Sequence, residues 1–279
     1  MPEKIMNPWG IDLYLLRSAV PGVLGGNKAA KLGGYIARAR REGRHHLVTM
    51  AGAHSNHLRA FAALIKNEHL SGTALIRGDE LTDVARHSHE IRFAISHGVR
   101  CQFIDRATYR QLRSARTGNE LADILGEDLS LHESLFIPEG GLGADGVSGV
   151  VAWAQNASDF DHVVLACATG TTAAGFLLAS AEHCTVHGVA VLQNSAAVME
   201  AIATFAAAQA GRFHLIDKYA PHRFGPWRGT LSAEAAQFSE RYFSRADVIY
   251  TPRAIAALED LAHSRQLIGR ILFVYTYNE

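Results

Sequence analysis

The chain has 279 residues, 48% of them apolar, and equal numbers of basic and acidic side chains, 27 of each. That length suffices for one large core or two modest ones, and the balanced charge gives no electrostatic reason to expect a nucleic-acid partner. No stretch approaches the roughly 20 apolar residues of a membrane span, and Met1-Pro2-Glu3-Lys4 lacks the basic-then-apolar pattern of a secretory signal. Three widely separated cysteines, Cys101, Cys167 and Cys184, lie in or beside apolar runs. They read as buried thiols of a reducing compartment rather than a disulfide framework, so a cytoplasmic protein is expected.

In chain order, short apolar or β-branched runs alternate with longer alanine-rich ones. A strand is expected over 12–17, a helix over 31–41, a strand over 46–50 and a helix over 56–66. The cycle continues with strand 73–76, helix 82–97, strands 99–104 and 134–138, helix 146–156, strand 161–167, helix 172–181 and strand 186–192. An alanine-rich run at 196–210 reads as a helix, Tyr250 ends a strand-like run, and 268–275 closes the chain as an edge or core strand. Such alternation predicts an α/β fold with open, mostly parallel sheets and helices on both faces.

The segment 139–149, Glu-Gly-Gly-Leu-Gly-Ala-Asp-Gly-Val-Ser-Gly, holds five glycines, which suits a crossing between lobes or a tight cofactor loop. Residues 50–145 are expected to form a small α/β domain. Residues 1–49 and 146–279 then build a larger lobe from both chain ends. Ligands of open parallel sheets sit beyond the carboxyl ends of the strands.

Three segments carry chemistry. Gly25-Gly26-Asn27-Lys28 sets a lysine on a glycine-rich turn ahead of a helix. A partly desolvated lysine there can act as a nucleophile. Lys31, one turn on, is either the functional lysine or the like charge that favours its neighbour's neutral amine. The second segment, Ala53-His54-Ser55-Asn56-His57, follows a strand-like run and precedes a helix-like one. Ser55 and Asn56 therefore lie where unpaired helical amides collect, which suits either a carboxylate or a plain helix cap. His54 and His57 lack metal-ligand partners at convincing spacing, so no metal is expected. In the third segment, Ala168-Thr169-Gly170-Thr171-Thr172, a strand runs through a glycine turn into an alanine-rich helix. Converging amides, threonine hydroxyls and a helix start make an anion site. The segment has neither the Gly-Lys-Ser/Thr ending of a P-loop nor a dinucleotide fingerprint, which argues against an NAD-linked dehydrogenase.

Jointly the three segments read as a pyridoxal-phosphate pocket. They resemble the tryptophan-synthase-beta-like (fold type II) enzymes, and most of all the 1-aminocyclopropane-1-carboxylate (ACC) deaminase and D-cysteine desulfhydrase family. The resemblance covers roughly residues 12 to 275. Gly25 to Leu32 match the family's lysine motif, which implies Lys28 as the cofactor-binding and catalytic residue. Ala53 to His57 match its serine-asparagine loop. That match implies a catalytic and substrate-carboxylate role for Ser55, a cofactor contact at Asn56, and substrate contacts at Asn56 and His57. Thr169, Gly170, Thr171 and Thr172 match its phosphate loop. Pro138-Glu139-Gly140-Gly141 is similar to the segment leading back into the large domain.

The chain also departs from the family. Phe224, matching a residue that is typically tyrosine and placed at the substrate, keeps the ring and loses the hydroxyl. Ala254 falls where a second tyrosine is expected, and Ile255 falls at the polar or acidic neighbour of the cofactor's pyridine nitrogen. The ending Val274 to Glu279 replaces the family's histidine-threonine-glycine-glycine. ACC ring opening leans on such tyrosines. An unprotonated pyridine nitrogen beside Ile255 instead suits rapid loss of a good leaving group such as a thiol. The resemblance thus implies an α,β-elimination lyase/deaminase with pyridoxal 5'-phosphate and a small amino-acid substrate, D-cysteine being the most economical, in a homodimer. The alternatives are ACC deamination and a non-catalytic binding protein on the same fold.

Overall fold

The computed structural model describes residues 1–17, 26–115, 117–125, 133–155, 158–223, 225–245 and 247–277. Its first elements are β1 (Glu3–Lys4), β2 (Asp12–Leu16), α1 (Asn27–Glu42), β3 (His46–Ala51), α2 (Asn56–Asn67) and β4 (Ser71–Arg77). They are followed by α3 (His89–Ser96), β5 (Val99–Ile104), α4 (Arg106–Leu112), α5 (Gly118–Leu125), β6 (Leu135–Ile137) and α6 (Ala144–Ala154). The chain continues through β7 (His162–Cys167), α7 (Thr171–Ala179), β8 (Thr185–Ala190), α8 (Ser195–Phe205) and β9 (Phe213–Ile216). It closes with α9 (Ala233–Tyr242), α10 (Thr251–His263) and β10 (Arg270–Val274).

Two compact units result, one of Met1–Ala19 with Val150–Glu279 and one of Val20–Gly149. In the first, a six-stranded sheet runs β1-β2-β10-β7-β8-β9. Every neighbouring pair is parallel except β1 with β2. The closing strand β10 is thus central, flanked by β2 and β7. Alternate residues Leu13 and Leu15, Val164 and Ala166, Ile271 and Phe273 share one apolar cluster with Phe238 of α9 and Ile255 and Leu258 of α10.

The second unit holds a four-stranded parallel sheet, β5-β4-β3-β6. Helices cover both its faces. Leu47 and Ala51 of β3 cluster with Leu32 and Ile36 of α1 and Leu58 and Phe61 of α2. Val48 and Met50 cluster with Tyr109 and Leu112 of α4 and Leu121 of α5. Burial on both faces explains why β3 is apolar at Leu47, Val48, Met50 and Ala51 rather than alternating apolar with polar. Each such side chain contributes about 1.5–3 kcal/mol of burial free energy.

Several expected elements differ in the structure. Residues 20–49 fold with 50–149 rather than with the chain ends, because β3 is an inner strand of the four-stranded sheet and α1 packs on α2 and β6. The helix expected over 82–97 is two short 3-10 turns, Asp79–Thr82 and Val84–Arg86, followed by α3. Asp83 and Ser88 each cap a new start, accepting hydrogen bonds from the amides of Ala85 and Ile91. The strand-like run ending at Tyr250 is instead a turn. The buried Asp247 carboxylate accepts from the amides of Ile249, Tyr250 and Thr251, and Pro252 lies in the first turn of α10. Among the described residues no helix is long and apolar enough to cross a membrane.

Candidate active site

In the unit 20–149, α1 starts at Asn27, four residues before the expected position, behind Gly26 at φ 51° and ψ −125°. Lys28 is the second residue of the helix and is half-buried, while Asn27 and Lys31 are buried. The stem of Lys31 lies against the backbone of Gly141, where an added Cβ would meet the Lys31 Cβ at 3.0 Å. The glycine-rich segment after β6 therefore packs on the lysine helix. Gly25 of the same motif lies outside the described residues.

Strand β3 ends at Ala51 and hands the chain to Gly52–Ser55, which starts α2. Ser55 is the N-cap, its Oγ accepting from the His57 amide at 3.2 Å, and Asn56 opens the helix. Ser55 and Asn56 are half-buried, so the first-turn amides stand at a partly open helix start. The His57 ring, expected as a substrate contact, is buried and bonded within the protein. The Nε2 lies 2.8 Å from Thr49 Oγ1, and that hydroxyl donates to the Ile137 carbonyl at 3.0 Å. Burial, followed by the charges of Lys28 and Lys31, pushes the His57 pKa down to about 3, so the ring is neutral at physiological pH. His54 is exposed, with Glu90 at 3.6 Å.

In the other unit, β7 delivers the turn Ala168–Gly170 to the start of α7. Gly170 is left-handed at φ 76° and ψ −22°, and no side chain caps the helix. Thr171 and Thr172 are buried, Thr169 Oγ1 lies 3.1 Å from Thr171 Oγ1, and Asn194 Nδ2 donates to the Ala168 carbonyl at 2.6 Å. An added Cβ at position 170 would meet Ala201 Cβ at 2.8 Å and the Val198 carbonyl oxygen at 3.0 Å. The turn is thus shaped by α8 and held by Asn194. An open cavity of about 560 Å³ is lined by Asn194 with Gln193, Ser195, Asp217 and Lys218.

Ala254 and Ile255 are buried in the apolar cluster that includes β2, β7 and β10 residues, and neither offers a hydroxyl or carboxylate. Two tyrosines stand near. The Tyr219 hydroxyl donates to Asp260 and lies 3.1 Å from the Ala256 carbonyl, and burial pushes its pKa up to about 12. Burial likewise raises Tyr250 to about 12. Arg253, wholly unexposed, donates to the carbonyls of Tyr219 at 3.2 Å and Gly225 at 3.1 Å, and also to Ile249. It fastens the segment beside Phe224, a residue that itself lies outside the described set.

The structure therefore brings Lys28, Ser55, Asn56 and His57 together in one unit and sets Thr169 to Thr172 in the other. Thr49 and Asn194 were not singled out from the sequence. Thr49 is a lone hydroxyl inside an apolar strand, a signal that sequence does carry. Asn194 has none beyond following a strand. No cluster of three or more His, Cys, Asp or Glu among the described residues could hold a metal ion.

No protein-family model matches the chain. A Pyrococcus horikoshii protein provisionally named 1-aminocyclopropane-1-carboxylate deaminase is 27% identical, covering 96% of this chain and 84% of that protein. The D-cysteine desulfhydrase of Klebsiella pneumoniae is 28% identical, covering 98% of this chain and 88% of that enzyme. Among solved structures, an ACC deaminase homologue matches with a TM-score of 0.70 at 25% identity, over 99% of this chain and 89% of that one. In sequence and in fold this chain is similar to the ACC deaminase and D-cysteine desulfhydrase enzymes, and it has the tryptophan-synthase-beta-like, fold type II architecture.

Proposed function

We propose that this chain is a pyridoxal-phosphate-dependent lyase that carries out α,β-elimination on a small β-substituted amino acid. D-cysteine is the most economical substrate, giving a keto acid, ammonia and sulfide. The observation that carries the reading is the Thr169–Thr172 turn. Its left-handed Gly170, uncapped helix start and buried threonines suit a phosphate monoester, and the Cβ of any other residue at 170 would press on α8. Lys28, half-buried at the second position of α1, fits the same group.

When bound, pyridoxal phosphate delocalises the electron pair left as the α C–H bond breaks. Lys28 would hold the group through its Nζ and, once the substrate's amine has displaced that nitrogen, would take the α proton on it, with the buried Lys31 as a second cation on the same helix face. The amides at the start of α2, with Ser55 and Asn56, bind and orient the substrate carboxylate. Thr169, Thr171 and Thr172 anchor the phosphate. Elimination is favoured over ring opening because Ala254 and Ile255 supply no proton donor and the Tyr219 hydroxyl is committed to Ala256 and Asp260. A homodimer in the cytoplasm, as in the resemblance, completes the reading.

Purified protein supplied with the cofactor is expected to release pyruvate, sulfide and ammonia from D-cysteine. Turnover should be lost in Lys28→Ala and be much weaker with ACC. Turnover that survives Lys28→Ala, or ACC as the better substrate, would overturn the reading.

A further inference from the structure

The hydrogen bonds of His57 fix the protonation pattern of its ring. The Thr49 hydroxyl has a single proton and donates it to the Ile137 carbonyl at 3.0 Å, which only accepts. At 2.8 Å from His57 Nε2, Thr49 Oγ1 must therefore be the acceptor, so Nε2 carries the ring proton. That leaves Nδ1 as the lone-pair nitrogen, buried and without a hydrogen-bond partner. The His57 amide is tied at the same time to Ser55 Oγ at 3.2 Å. A continuous chain of bonds results, from the Ser55 cap through His57 and Thr49 of β3 to Ile137 of β6, where Thr49 and Ile137 are register partners. A leucine or phenylalanine would fill the space without an orphaned acceptor, whose burial is unfavourable. The polar ring is thus held for the bond it makes.

We propose that His57 is a positioning residue, its Nε2–H tautomer anchored on Thr49 and bracing the Ser55–Asn56 turn at the start of α2 against the β3–β6 pair. The ring stays neutral because it is buried and because Lys28 and Lys31 of α1 already act on it with two positive charges. The brace therefore does not titrate at working pH. It fixes the direction of the first-turn amides that would meet a carboxylate. This consequence for a substrate rests on the functional reading above, whereas the brace itself is read in cofactor-free protein.

The test starts from ¹⁵N-histidine NMR of the cofactor-free chain. His57 is expected to show a pyrrole-type Nε2 and a pyridine-type Nδ1, unchanged from about pH 8 to about pH 5. A protonated Nδ1, or titration near the ordinary histidine pKa, would overturn the proposal. Thr49→Val removes the anchor, and the Nδ1–H form should then appear. His57→Leu should raise amide exchange over the first turn of α2 by about tenfold, whereas His57→Gln, whose amide reaches Thr49, should stay within about twofold of the parent. Equal exchange in the two variants would sink the brace. With D-cysteine, His57→Leu should raise KM by about tenfold with a smaller change in kcat, largely rescued in His57→Gln. Equal changes in KM and kcat would contradict the carboxylate consequence. A parent protein with no turnover at all would sink the functional reading, and the NMR and exchange results would still decide the brace.

Discussion

Replacing Gly170 by alanine separates a phosphate turn built around a glycine from a loop that merely contains one. The residue sits at φ 76°, where a side chain costs about 1–2 kcal/mol. The new Cβ would lie 2.8 Å from Ala201 Cβ and 3.0 Å from the Val198 carbonyl oxygen. The second contact is with helix backbone and cannot be relieved by a rotamer change, so overpacking adds about 1–3 kcal/mol. A total loss near 3 kcal/mol lowers Tm by roughly 6–12 °C in a protein of this size class. The assay is a thermal melt by circular dichroism, repeated with pyridoxal phosphate. At about a hundred times its Kd the cofactor should stabilise the parent by about 2.7 kcal/mol and the variant far less. A variant that melts within about 1 °C of the parent, or gains the same protection, would refute the reasoning.

Two further predictions concern the same unit. Neighbouring strands carry His162 and His187, whose ring nitrogens lie 3.2 Å apart, with the His214 ring 5.6 Å from that of His187. Burial, then the His162 and His214 rings, push His187 down to about 4 from the usual 6.5. The folded chain thus binds fewer protons than the unfolded one between those values. Stability present at pH 7 is lost as pH falls through about 6 to 4, by up to about 3 kcal/mol. Urea melts across that range should show the loss, and His187→Leu should flatten it. An unchanged slope in the variant would exclude His187 as the source. Arg253→Met leaves three part-buried carbonyls without their donor. It should cost about 3 kcal/mol by urea melt, and a loss under about 1 kcal/mol would show that water replaces the guanidinium.

Most of the fold was legible where pattern and burial agree. The strand starting at His46 and the helix starting at Asn56 were found at their first residues, because a two-face-buried strand and an amphipathic helix leave opposite signatures. What escaped was decided by single polar atoms or by long-range packing. Val248-Ile249-Tyr250 has strand composition, yet one carboxylate, Asp247, gathers three amides and turns it into a helix start. Residues 20–49 looked like part of the chain-end lobe until the pairing of β3 with β4 and β6 placed them with the four-stranded sheet. In the candidate site, the lysine and glycine motifs could be read from residue order. The burial of His57 could not, because it depends on Thr49 and on a carbonyl 88 residues further along the chain from that threonine.

The central claim is that Lys28 is the residue that holds the cofactor. It is tested most directly by loading the purified chain with pyridoxal phosphate, reducing with borohydride and mapping the modified peptide by mass spectrometry. The account predicts a visible absorption band that collapses on reduction and a single fixed label on Lys28, absent from Lys28→Ala. A label on Lys31 or elsewhere, or no label on folded protein, would contradict it.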